Sequence, residues 1–226
     1  MKPILFNTDM VRAILEGRKT VTRRLVKFKP RQNPQWTGYI PDGPVLYGSN
    51  NIPASKSPYH PGDILYVRET WYKDPTRYMY KANYSDTEKF FRDGKEVQIK
   101  WRPSIHMPKE AARLFLRVTD VRVERLQKMT IEDFQKEGIK REEAHARGCH
   151  CKWATETCRE EPCSNRDAYE YLCWQPQFRK LWDSTIDPLY LDLYAWSANP
   201  WVWVISFERI SKEAALKVCK TDGRIM

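Results

Sequence analysis

Lys19 and Thr22 stand three residues apart in the run Glu16-Gly17-Arg18-Lys19-Thr20-Val21-Thr22-Arg23-Arg24, an amine and a hydroxyl set among three arginines. An amine beside a hydroxyl can be a base beside a nucleophile, provided that burial or the neighbouring cations Arg18, Arg23 and Arg24 depress the amine's pKa. Alternatively Lys19 stays charged and binds an oxyanion or a phosphate, or the whole run is a basic, solvated turn. The local pattern predicts how these residues are held. Thr8 can cap a helix over residues 8–17 in which Val11, Ile14 and Leu15 fall on one face, and Gly17 sits where a left-handed cap would end it. From Thr20 to Val26 the chain alternates as a strand, so Thr20 and Thr22 share a face while Lys19 can still belong to the turn.

Two further groups carry chemistry. Arg68 and Glu69 interrupt the apolar run Ile64–Trp71, and buried charges must be paired, which predicts a mutual or cross-strand ion pair. Glu69 is thereby a second candidate site carboxylate, or simply a structural partner for an arginine. Trp71 offers a ring that can stack a base or serve the core. Separately, Cys149, Cys151, Cys158 and Cys163 fall within fifteen residues, amid His145 and His150. Four thiolates in a short loop suit tetrahedral zinc, and four protein ligands would make that zinc structural, holding an insertion too polar to pack alone. Free thiols or disulfides are the alternatives. Cys173 reads as a core residue and Cys219 as incidental.

The chain has 226 residues and a formal net charge of +10. A basic balance of this size points to an anionic partner, nucleic acid first. Nine Trp and twelve Tyr add rings on which single strands and unstacked bases can stack, although core and interface use the same rings. No membrane-length apolar run and no signal peptide is evident, so a cytoplasmic protein without a membrane partner is expected, with its cysteines reduced or metal-bound.

The remaining pattern frames these residues. Ile4–Phe6 and Tyr78–Tyr80 read as short strands. Asp93-Gly94 reads as a hairpin turn, residues 114–126 as a long strand, and residues 201–207 as the most strand-like run of all. Thr130 caps a helix through Lys136 that ends near Gly138, with Asp133 in the capping-box position. Residues 167–183 read as a helix that Gln175-Pro176 interrupts. Seven prolines make residues 27–61 a long irregular excursion, with a small hairpin around Tyr39–Tyr47, in which Lys27, Lys29 and Arg31 extend the basic run. Many strands, few helices and no Gly-rich phosphate loop predict an α+β fold, a small mixed β-barrel with helices at its ends. A single domain over residues 1–210 is expected, with the Cys-rich insertion at 140–166 and a tail at 211–226 polar enough to fray.

Four blocks in order carry a family resemblance: Gly17–Arg24; Pro61–Trp71; Leu116–Leu126 followed by Met129–Ile139; and Asn199–Phe207. Together they resemble ASCH domains of the PUA-like superfamily, most closely the larger ASCH proteins of bacteria and their phages. The resemblance implies a PUA-like β-barrel with a cleft that binds RNA, single-stranded DNA or a modified nucleoside. One ASCH branch hydrolyses the amide of N4-acetylcytidine with a Lys, a Thr and a Glu, and those residues align with Lys19, Thr22 and Glu137. That branch is much shorter than this chain and has an apolar residue where Arg23 stands. On this view Arg18, Arg23, Arg24, Arg68, Glu69 and Trp71 surround the bound base or strand. The alternatives are a non-catalytic nucleic-acid-binding module and a zinc-stabilised protein-interaction module. For Glu137 the other reading is an exposed carboxylate near a helix C-terminus.

Overall fold

The computed structural model describes residues 1–27, 34–40, 43–48, 53–92, 94–140 and 166–221. The strands are β1 (Lys2–Leu5), β2 (Val21–Leu25), β3 (Pro34–Ile40), β4 (Gly43–Gly48), β5 (Pro53–Lys56), β6 (Ile64–Arg68), β7 (Trp71–Lys73), β8 (Tyr78–Tyr80), β9 (Phe90–Arg92), β10 (Lys95–Val97), β11 (Phe115–Arg125) and β12 (Trp201–Ile210). The α-helices are α1 (Thr8–Leu15), α2 (Ile131–Lys136), α3 (Arg166–Ser184), α4 (Leu191–Tyr194) and α5 (Lys212–Thr221). The chain forms two compact units: Met1–Gly17, Pro61–Thr119 and Phe207–Met226 make the first, and Arg18–His60 with Asp120–Ser206 the second.

In the first unit β1 runs parallel to β6, and β11 begins antiparallel to the other edge of β6. α1 is capped by Asn7, not Thr8. Asn7 is extended, and its side-chain oxygen accepts from Met10 N at 2.9 Å, so Thr8 already lies inside the first turn. Gly17 ends the α1 segment at φ 76°, as the sequence predicts. Ile64, Trp71, Met107, Ala111, Ala112, Phe115 and Ala215 form one apolar cluster of the unit's core. Ala215 belongs to α5, where a fraying tail was expected. A short stripe of Ala215, Val218 and Cys219 recurs at helical spacing and packs into that core, which holds the helix in place. Cys219 is accordingly half-buried rather than incidental, with Sγ 3.9 Å from the Met1 amine.

In the second unit β12 lies antiparallel to β2, with Trp203 opposite Arg24, Val204 opposite Arg23 and Ile205 opposite Thr22. Strand alternation gives this ribbon two faces. Val21, Leu25, Val202 and Val204 share one face with Arg23, and the aromatic rings of Phe134, Phe178, Trp182 and Trp196 cover it. Thr22, Arg24, Trp201, Trp203 and Ile205 occupy the other. The Pro-rich stretch, expected to be irregular with at most a hairpin, is a three-stranded antiparallel sheet in the order β3-β4-β5. Pro34 and Pro53 stand first in their strands and Pro44 second, positions where a missing N–H costs little. α3 runs unbroken through Pro176. Trp174, Phe178 and Trp182, one helical turn apart, are all buried, and their packing offsets the hydrogen bond that Pro176 removes.

The class is α+β. Among the described residues no sheet closes into a barrel: β7–β8 and β9–β10 stay two-stranded ribbons, and β3–β5 form a sheet of their own. No helix among these residues is long and apolar enough to cross a membrane.

Candidate functional site

The second unit brings Lys19 and Glu137 together across 118 positions of sequence. Lys19 lies in the turn between Gly17 and β2, and the next residue donates its N–H to Lys136 O at 2.9 Å. Arg18 donates to Gly138 O, so three consecutive residues clamp the end of α2. At its start α2 has a complete capping box: Thr130 Oγ1 accepts from Asp133 N at 3.3 Å and Asp133 Oδ2 from Thr130 N at 3.1 Å. At its end Glu137 is the C-cap, and Gly138 turns the chain away at φ 91°. A helix of six residues fixed at both ends leaves Glu137 little freedom of direction.

The resulting contacts are short and dry. Lys19 Nζ donates to Glu137 Oε2 at 2.5 Å and to Glu137 O at 3.1 Å, and the two side chains are 0% and 3% exposed. Arg23, 1% exposed, reaches the other carboxylate oxygen, Glu137 Oε1, at 3.2 Å. Its Nη2 lies 3.0 Å from Glu124 Oε1 and 3.2 Å from Asp133 Oδ1. Arg122 bridges the outer side of Glu124 and Asp133, at 3.4 Å from each. Arg23 Nε, buried, has no hydrogen-bond partner.

Burial is the largest influence on the Lys19 amine and pushes its pKa below the ordinary lysine value; Glu137 opposes this, and Arg24 and Arg23 add to it. Burial also works against the Arg23 charge, but Glu137, Asp133 and Glu124 outweigh it and raise the pKa. For Asp133 burial alone would raise the pKa; Arg23, the Thr130 N–H and Arg122 prevail and lower it. The arrangement therefore combines an amine whose pKa is lowered with a carboxylate in direct contact, a pairing suited to proton transfer. A solvated turn for Lys19 and an exposed carboxylate for Glu137 are both excluded, because the two groups are buried.

Thr22 is buried too, at 2% exposure, but strand alternation sets it with Arg24 on the face opposite Arg23. Thr20 precedes β2 and is exposed, so the two threonines do not share a surface. Arg24 is partly buried, and burial lowers its pKa against the opposing pull of Tyr59 and Glu137. Sequence reasoning missed Glu124 and Asp133 as partners of Arg23. Asp133 had been legible only as a cap, and nothing local marks Glu124.

Arg68, Glu69 and Trp71 lie in the first unit. Of the two pairings expected, mutual or cross-strand, the mutual pair of Arg68 and Glu69 does not form, because successive residues of an extended chain point to opposite sides. Arg68 Nε donates to Met107 O at 2.9 Å and Nη2 to Ile105 O. Glu69, 1% exposed, is gripped by both Nε and Nη2 of Arg113 at 2.9 Å. Arg113 Nη1 donates to Asn83 Oδ1 at 2.9 Å, and its guanidinium stands 4.0 Å from the centre of the Tyr80 ring. Trp71 is core, with the guanidinium of Arg102 5.3 Å from its ring. Cys149, Cys151, Cys158 and Cys163, like Lys29 and Arg31, lie outside the described residues.

No protein-family model, curated protein or solved structure matches this chain.

Proposed function

We propose that this chain is an ASCH-type domain of the PUA-like superfamily that binds nucleic acid or a modified nucleobase and hydrolyses the N-acyl amide of a cytidine-type nucleoside. One observation supports the catalytic part above all: a wholly buried Lys19 amine, its pKa lowered by burial, in contact with Glu137 at 2.5 Å. In this reading Lys19, its pKa lowered by burial, takes the Thr22 hydroxyl proton as Oγ1 attacks the acyl carbon, which requires Thr22 to reach the amine from the other face of β2. The C–N bond breaks as Lys19 returns that proton to the leaving amine. Water gives a proton to Glu137 and attacks the threonine ester; as the Oγ1–acyl bond breaks that proton passes to Thr22 Oγ1, and the acid is released.

The test is conversion of N4-acetylcytidine to cytidine and acetate by the purified protein, followed by mass spectrometry, with Lys19→Ala and Thr22→Ala alongside. Loss of about 100-fold or more in each variant is expected for a lost base or nucleophile. Absence of turnover in the wild type removes the hydrolase; undiminished turnover in both variants removes the roles given to Lys19 and Thr22.

A second reading, a non-catalytic module holding a base or strand, draws support from two details. Both Glu137 oxygens already have cationic partners, and Thr22 faces away from them. It predicts binding of RNA or single-stranded DNA that weakens steeply with salt, and no turnover. For the cysteine insertion we propose structural zinc held by Cys149, Cys151, Cys158 and Cys163, on the strength of donor type and number alone. One equivalent of zinc in the purified protein, lost when two of these cysteines become serine, is the expected result.

A further inference from the structure

Arg23 is the position at which this chain departs from the N4-acetylcytidine branch it resembles, and the reaction proposed above gives it no part. On β2 it shares a face with Val21, Leu25, Val202 and Val204, yet its buried side chain meets three carboxylates from two other elements. Nη1 donates to Glu137 Oε1 at 3.2 Å, at the end of α2. Nη2 donates to Glu124 Oε1, on β11, at 3.0 Å and lies 3.2 Å from Asp133 Oδ1, on α2. Glu124 and Asp133 are held from the outer side by Arg122, at 3.4 Å from each. One flat fork thus spans three carboxylates, a geometry that the single ammonium of a lysine does not match.

This fork fixes both the direction and the charge of the Lys19–Glu137 pair. With Oε1 taken by Arg23, Oε2 is the oxygen turned to Lys19 Nζ, at 2.5 Å. Lys19, Arg23 and Arg122 face Glu137, Glu124 and Asp133, and of these cations only Lys19 can shed its proton, since an arginine does not. When it does, Glu137 still has Arg23 beside it. After burial, the groups that act on the Lys19 amine are Glu137, which favours its charge, and Arg24 and Arg23, which disfavour it. Arg18, the other cation of the turn, is committed to Gly138 O. Without Arg23 the amine would face one carboxylate as an ordinary ion pair, with two more carboxylates behind it, and would hold its proton more tightly.

We propose that Arg23, held by Glu124 and Asp133, is a positioning residue of the Lys19–Glu137 centre: it turns Oε2 to the amine and supplies the charge that lets Lys19 give up and take back a proton while Glu137 stays compensated. The inference rests on the hydrolase reading for its use in the reaction, but the effect on the pair is measurable without turnover. Every residue it uses lies in the second unit.

The test is NMR titration of the lysine side chains in isotope-labelled full-length protein, the Lys19 signal being the one missing from Lys19→Met. Arg23→Met should move the Lys19 midpoint up by about one pH unit, the lower end of what a charge within about 4–6 Å contributes. Arg23→Lys, which keeps the charge, should move it less. Glu124→Gln, which removes a carboxylate, should move it down. A side chain that only holds the fold together gives no such opposition of sign. If Arg23→Met does not fold, Glu124→Gln, at a side chain that keeps contact with solvent, and Arg23→Lys decide. Midpoints that stay in place, or that move the same way in Arg23→Met and Glu124→Gln, overturn the inference. On the same proteins the rising limb of kcat/KM against pH for N4-acetylcytidine should follow the midpoints. A limb that ignores them overturns the positioning role in the reaction. A wild type without turnover removes the hydrolase, and the titration alone then decides what Arg23 does to the pair.

Discussion

Glu69 in the first unit and Glu137 in the second are both withdrawn from solvent, at 1% and 4% exposure. Glu69 meets one guanidinium edge-on, two bonds of 2.9 Å, and that guanidinium is itself fixed by Asn83 and lies against Tyr80. Glu137 is divided between two cations, one oxygen to Lys19 and one to Arg23. An arginine does not give up its proton in a protein, so the Glu69–Arg113 pair is a fixed bracket within its unit. A lysine desolvated beside a carboxylate can, and Arg23 keeps Glu137 compensated when it does. Similar burial thus yields a fastener in one unit and a candidate proton-transfer centre in the other.

The largest effect should come from removing the shared carboxylate. Glu137→Ala strands Lys19 and Arg23 without their common partner and should cost about 3–5 kcal/mol in denaturant unfolding. Glu69→Ala should cost less, about 1–3 kcal/mol, because Arg113, with its side chain 24% exposed, can regain water. A Glu69 variant as damaging as the Glu137 variant would erase the distinction drawn between the two sites.

Lys19→Met should change stability at neutral pH by only about 1 kcal/mol, since Arg23 still neutralises Glu137 and the methionine fills similar volume. Its signature is in pH. The folded-state pKa of Lys19 lies below its unfolded value of 10.5, so between the two the unfolded chain binds more protons. Wild-type stability therefore gains from Lys19 as pH rises through that window, and the gain should be missing from Lys19→Met. Superimposable pH–stability curves would sink the assignment. Asp133→Asn should have the smallest effect, confined to acid. Its carboxylate is held below the usual 3.8, so its contribution is present above that value and lost as pH falls through the folded pKa. Unfolding followed below pH 4 should show a shallower acid limb in the variant.

What was legible in the sequence was local. The Thr130 and Gly138 ends of α2 and the left-handed Gly17 are set by backbone chemistry within a few residues, and they stand where expected. Proline density misled at residues 34–56, because prolines at strand starts leave a sheet intact. The α5 stripe was too short to stand out against a polar tail, and only the core under Ala215 gives it weight. Arg68 and Glu69 illustrate a rule that leaves the partner open. Half-buried Arg68 donates to backbone carbonyls, and buried Glu69 found its counterpart in Arg113, 44 positions away.

By itself the sequence determined the α+β class, the basic charge, the helix that ends at Glu137 and the turn that carries Lys19. Those depend on composition, alternation and caps, all of which act over short stretches of chain. Only the tertiary structure decided that Lys19 and Glu137 are buried against each other, that Arg23 faces three carboxylates, and that Thr22 looks the other way. Burial and long-range pairing follow from which elements stack on which face of β2. That depends on the summed packing of residues more than one hundred positions apart, which no local pattern encodes.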